Sequence, residues 1–285
     1  MKNKNKISVG NLWHAVNPLI LYYLLSIGVS AVMMQKILLQ AGFAVMESSI
    51  GEDGILEYVF QEFLIQTMEM VLITAVVCIP IFGWMYYRDL QKRGQLPEKG
   101  LQLVVNLRAL LWGILGSAAL ALLCNNLIAL TPLVEWSAGY EETSEALYAG
   151  SIWMEFLGAG FGAAAVEELL MRGLLYQRLR DMMQAGAAIF WSALIFGISH
   201  GNIVQGVYAF LLGMFFAWLK ERFGTILIPI AAHMSANLFV IMLSESHGLR
   251  AIAGTYAGYI ASTVLCGVCF IYAFRTLNCM KNEIN

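Results

Sequence analysis

Two adjacent glutamates, Glu167 and Glu168, stand inside an apolar stretch. Gly158-Ala159-Gly160-Phe161-Gly162-Ala163-Ala164-Ala165-Val166 runs into them and Leu169-Leu170-Met171-Arg172 follows. A carboxylate at membrane depth is costly unless it is paired, so such a pair is a functional-site hypothesis by default. Two further polar outliers lie in later apolar stretches: His200, closing Phe196-Gly197-Ile198-Ser199-His200, and His233 with Asn237 in His233-Met234-Ser235-Ala236-Asn237. Carboxylate, imidazole and amide abstract, accept and donate protons. Gathered in a dry cavity they could activate a water molecule and stabilise the charge that its attack creates.

The spacing separates the two glutamates. Glu168 and Arg172 are four apart, share a helix face and can form an ion pair. Glu167 is turned from Glu168 by about 100°, which leaves its carboxylate free to act as a general base. Ala163 and Gly160 fall on nearly the face of Glu167, and Gly158 and Gly162 form a second small pair. A peptide or a neighbouring helix could approach such a face closely. Each motif alone has a plain structural explanation. The glutamates could be paired structural groups, His200 an interhelical contact, and His233 with Asn237 interhelical hydrogen bonding. Pro229, one turn before His233, is expected to loosen that helix and free a backbone carbonyl. The set is more telling than its members, because three helices bring side chains that must face inward and would line one polar cavity.

The elements that must position these groups are membrane helices. The chain has 285 residues, 59% hydrophobic and 13% charged, about half the charged share of a soluble domain. Apolar stretches predict eight spans, at about 16–40, 64–87, 109–133, 150–175, 186–202, 203–219, 225–244 and 251–274. The fifth and sixth are short and joined tightly near Gly201-Asn202. Alternating the eight spans puts Lys2, Lys4, Lys6, Arg88, Lys92, Arg93, Lys99, Arg108, Arg172, Arg178, Arg180, Lys220, Arg222, Arg275 and Lys281 on one side. Only Lys36 and Arg250 of the 17 basic residues fall on the other, along with Glu47, Glu52, Asp53, Glu57, Glu135, Glu141, Glu142 and Glu145. The positive side is expected to be cytoplasmic and to hold both termini. The first apolar run reads as an uncleaved span, with no lipidation motif or appended soluble domain. The fold class expected is all-α, a polytopic protein forming a single membrane domain over 1–285 with a catalytic core at 150–245. Cys266-x-x-Cys269 lacks a second pair or a nearby histidine and reads as space-filling thiol.

In order and in successive apolar helices, these motifs resemble the CPBP family, the CAAX prenyl proteases and bacteriocin-processing enzymes also called Abi. Its pattern is Glu-Glu-x-x-x-Arg, Phe-x-x-x-His and His-x-x-x-Asn, matched by Glu167-Glu168 to Arg172, Phe196 to His200 and His233 to Asn237. The resemblance implies an eight-helix intramembrane endopeptidase. Glu167 would activate water, His200 would position it, and His233 and Asn237 would stabilise the oxyanion. Glu168 and Arg172 would support them and Phe196 would pack the site wall. No cofactor is expected. A His2Glu zinc site is conceivable but not favoured, and the zincin pattern His-Glu-x-x-His is absent. The expected partners are a peptide or lipidated protein substrate and membrane lipids, with no nucleic acid, in a prokaryotic plasma membrane. The cut is expected near the cytoplasmic face. Two other classes stay open. One is a proton-coupled transporter using Glu69, Asn125, Asn126 and Glu155. The other is a non-catalytic immunity or scaffold protein.

Overall fold

The computed structural model describes residues 7–47, 51, 54–95, 106–246 and 255–280. Of the charged residues used in the side count, Lys2, Lys4, Lys6, Glu52, Asp53, Lys99, Arg250 and Lys281 lie outside that set. All regular structure among the described residues is helical. The helices are α1 Val9–Met46, α2 Ile55–Lys92, α3 Leu107–Ala129, α4 Leu133–Trp136, α5 Tyr140–Tyr148 and the long composite α6 Ile152–Met182. They are followed by α7 Ala185–Ile198, α8 Ile203–Phe223, α9 Leu227–Glu245 and α10 Tyr256–Cys279.

The eight predicted spans correspond one to one with α1, α2, α3, α6, α7, α8, α9 and α10. Six of these, α1, α2, α3, α8, α9 and α10, are long and apolar enough to cross a membrane. A seventh is gained if α5 and α6, which bend by 114° at their junction, count as one broken span, and α7 is a shorter apolar helix. The starts are set by side chains that take up unpaired backbone N–H groups. Ser8 accepts from Asn11 N, Asn106 from Ala109 N, Asn202 from Gln205 N and Thr255 from Gly258 N. Gly224, with φ of 70°, ends α8 in the left-handed region that favours glycine.

Polar contacts mark two ends of the bundle. At one end Arg178 pairs with Asp89 at 2.7 Å and donates to the His14 carbonyl. Arg93 pairs with Asp181, Arg180 with Glu221, and Arg222 donates to the Asn278 carbonyl. The start of α1 and the ends of α2, α6, α8 and α10 therefore meet there. At the other end Lys36 lies 3.8 Å from Glu69, Tyr148 bonds Ser244, and Asn126 donates to Thr263. This is the alternation that the basic residues predict. Exposed Trp13 and Trp84 flank the Arg-rich end, and exposed Trp136 and Trp153 the Arg-poor end, as expected of rings seated at two membrane interfaces.

Two apolar cores flank the site. One joins α1, α2, α6, α7 and α8 around Phe82, Leu170, Leu174 and Phe196. The other joins α3, α8, α9 and α10 around Phe216, Leu219 and Ile228. α3 packs closely because Gly113 faces Ile228 and Gly116 faces Ala273 and Phe215. Pro229 does not loosen its helix. It is the third residue of α9, within the first turn, where a backbone N–H has no intrahelical partner to lose.

Candidate active site

α6 carries the two glutamates between two widened turns. Phe156–Ala163 and Leu169–Tyr176 are π-helical, with the ordinary α-helical segment Ala164–Glu168 between them. Such widening is frequent at functional sites because it redirects side chains and loosens the backbone ladder. Its effect is visible in which residues face the cavity. Ala159, Ala163 and Glu167 line it, whereas the small face read from sequence runs through Gly160. Neighbouring helices take the glycines instead. A Cβ on Gly158 would lie 2.6 Å from the Met68 carbonyl, one on Gly160 2.6 Å from Leu238, and one on Gly162 3.2 Å from Ala75.

The expected separation of the two carboxylates is present. Glu168 is fully buried, and its Oε1 accepts from Arg172 Nη1 at 2.8 Å and from His233 Nδ1 at 2.9 Å. Arg172, also fully buried, donates through Nη2 to the Gly213 carbonyl at 3.0 Å. Its guanidinium lies over Phe196 at 4.6 Å and Phe216 at 5.4 Å, a favourable placement for a desolvated cation. Gly213 admits this contact because a Cβ there would sit 3.0 Å from Arg172 Nη2. Glu167 stays apart, with a side chain 23% exposed and His233 Nε2 at 3.7 Å from its Oε2.

His200, at the end of α7, bonds the Phe196 carbonyl through Nδ1 at 2.8 Å, and the two rings meet edge to face. A carbonyl only accepts, so Nδ1 carries a proton, and in the neutral ring Nε2 keeps the lone pair. The depth of His200 follows from the same contact. The helix stops at Ile198 and the ring folds back against Phe196, which is level with Arg172. His233 is held between Glu168 and the face of Phe216, stacked at 4.9 Å. Asn237 donates through Nδ2 to the Ala159 carbonyl at 2.8 Å, which leaves its second amide hydrogen for the cavity.

Glu167, His200, His233, Asn237 and Phe196 all line one cavity of about 460 Å³. Glu168 and Arg172 sit behind it. No direct hydrogen bond joins His200 to Glu167, and the space between them is the cavity itself. Sequence reading missed Phe216, Gly213 and the Ala159 carbonyl. It also missed the face of α5 formed by Tyr140, Ser144, Leu147 and Tyr148. The spacing of that face was a legible signal, since apolar residues recur at helical intervals within an acidic stretch. Among the described residues no three His, Cys, Asp or Glu side chains are placed to hold a metal ion. His233 Nδ1 is bonded to Glu168 and His200 Nδ1 to the Phe196 carbonyl, leaving Nε2 as the remaining nitrogen of each ring.

The cavity does not lie where the cut was expected. Its walls are Asn125 to Ala129 on α3, Ala159 to Glu167 on α6, Val204 to Phe216 on α8 and His233 to Ser244 on α9. All lie between mid-depth and the Arg-poor end. Of the residues named for a proton path, Asn125 lines the cavity and the other three do not. Glu69 is at the surface with Lys36, Asn126 is tied to Ser262 and Thr263, and Glu155 is buried away from the cavity lining.

Residues 149–239 match the type II CAAX prenyl endopeptidase family, Rce1-like. Over 78 residues the chain is 31% identical to a Bacillus subtilis (strain 168) protein named "Putative membrane peptidase YdiL", covering 27% of this chain and 32% of that protein. The alignment thus spans about a third of the curated relative. No solved structure matches the chain. All three motifs lie inside the matched segment, which is similar to the CAAX endopeptidase family that the motifs resemble.

Proposed function

We propose that the chain is an intramembrane endopeptidase that hydrolyses peptide bonds with water activated by Glu167. The carrying observation is the division of labour in the glutamate pair. Glu168 is locked by Arg172 and His233, and Glu167 faces the cavity opposite His200. Water between Glu167 and His200 Nε2 meets two acceptors, so it donates both hydrogens and turns a lone pair toward a bound carbonyl. Glu167 takes the proton as the oxygen attacks. The second amide hydrogen of Asn237, and the Nε2 edge of His233 when protonated, stabilise the tetrahedral oxyanion. Glu167 then returns the proton to the leaving amine, and the peptide bond becomes a carboxylic acid, which keeps the water's second hydrogen, and an amine. Phe196 and Phe216 exclude water from the Arg172–Glu168 pair. The catalytic core is assigned to 150–245 within one membrane domain over 1–285. The substrate class is a membrane-associated peptide or lipidated protein segment.

The test is cleavage of a mass-read library of prenylated and leader-type peptides by purified protein in liposomes. Glu167→Gln preserves size and removes the base. Wild type should cleave and the variant should not, with both equally folded by circular dichroism. Equal cleavage by both would remove Glu167 from the mechanism. No step here needs a metal, so a chelator should leave the rate unchanged; loss of activity restored by added zinc would overturn that part.

A further inference from the structure

The cavity lies in the Arg-poor half of the bundle. Toward the Arg-rich end it is floored by Arg172, Leu174, Tyr176 and Leu219, all essentially inaccessible. Toward the other end, its mouth, the described residues that cover it belong to α4 and α5, which lie between α3 and the 114° bend into α6. Tyr140, Ser144 and Tyr148 of α5 face the cavity, and Glu141, Glu142 and Glu145 of the same helix face outward and are exposed. Glu135 and Glu245 are exposed at the same end, where Lys36 is the only basic residue among those described. At the opposite end Arg88, Lys92, Arg108 and Arg275 are exposed.

Membrane proteins keep the Lys- and Arg-rich ends of their spans in the cytoplasm. The floor of the cavity therefore faces the cytoplasm and its mouth faces away from it. Resting on the peptidase reading, we infer that this site takes its substrate from the non-cytoplasmic side, as a peptide segment with basic residues beside the cut. The exposed carboxylates lie on the rim of that side, so a basic segment is drawn to it and an acidic one repelled, an effect that salt weakens. A substrate emerging from a transport step, or the outer end of a membrane-anchored peptide, meets this mouth directly.

Sidedness and chemistry are tested together. Ala138 is exposed in the turn before α5, and the native Cys279 is exposed at the Arg-rich end. In intact cells making Ala138→Cys, a membrane-impermeant maleimide should label position 138, and Cys279 only after permeabilisation. The reverse pattern overturns the inference. In proteoliposomes whose orientation is fixed by the same labelling, a quenched fluorescent peptide should be cleaved only when supplied on the Ala138 side. Replacing its lysines by glutamates should slow cleavage roughly fivefold at low salt, and Glu141→Gln with Glu142→Gln and Glu145→Gln should shrink that difference. Glu167-dependent cleavage from the Cys279 side alone sinks the inference and leaves the peptidase standing. If neither side gives Glu167-dependent cleavage, the peptidase reading fails, and the substrate claim with it.

Discussion

Glu167 and Glu168 are neighbours of identical chemistry whose surroundings give them opposite tasks. Glu168 has no exposed surface and two charged or polar donors on one oxygen, so it acts as a fixed anchor for His233. Removing its cation should be severe. Arg172→Leu leaves a carboxylate buried without compensation, and we expect a loss of about 3–5 kcal/mol, read as a lower unfolding temperature in detergent. An unchanged temperature would mean that Glu168 is held by something other than Arg172. Asn237 is different, since one amide hydrogen is tied to Ala159 and the other is free. Asn237→Leu should cut kcat by about 10²–10³ with little change in KM, the behaviour of a lost oxyanion donor. An effect on KM alone would make Asn237 a binding residue. The Glu168–Arg172 pair was legible because four residues on a helix is a fixed geometry. Phe216 and Gly213 were not, because their partner Arg172 lies about forty residues away along the chain and only the packing of α6 on α8 brings them together.

At the scale of elements, the glycines report where helices touch. Gly197 and Gly206 let α7 and α8 cross with almost no separation, and a Cβ on Gly197 would lie 2.6 Å from the Gly206 carbonyl. Gly197→Val should therefore part the pair that carries Phe196 and His200, costing about 1–3 kcal/mol and most of the activity. Gly267, with nothing within 4 Å of its added Cβ, should accept alanine without effect on either measure. If both variants behave alike, close approach of α7 and α8 is not what the site needs. Span count and order were readable from apolar runs, since lipid tolerates few alternatives to a helix. The limits were less so. α1 and α2 extend well past the predicted stretches because their ends carry polar residues that hydropathy discards. α4 and α5 were read as loop because four residues and nine residues are too short to register as spans. The π-helical turns of α6 leave no local mark in a Gly- and Ala-rich sequence, and they moved the cavity face from Gly160 to Ala159.

The whole molecule is polarised along one axis. Among the described residues, arginines and the carboxylates paired with them gather at one end, and exposed glutamates and the cavity lie toward the other. Composition alone announced that charge split. The half of the bundle holding the cavity could not be read from it, because depth depends on where each helix actually stops. α7 stops early, after only 14 residues, about 21 Å at 1.5 Å per residue, against a hydrocarbon layer of about 30 Å. Its outer face, with Phe190, Trp191 and Ile198 exposed, must nevertheless meet acyl chains. A bilayer beside such a stub has to dimple, with headgroups drawn down toward the level of His200. Lipid chain length then becomes a control on the proposed peptidase. Peptide cleavage should run faster in 14-carbon than in 22-carbon phosphatidylcholine vesicles, and a rate indifferent to chain length would show that the surrounding lipid does not feel the short helix.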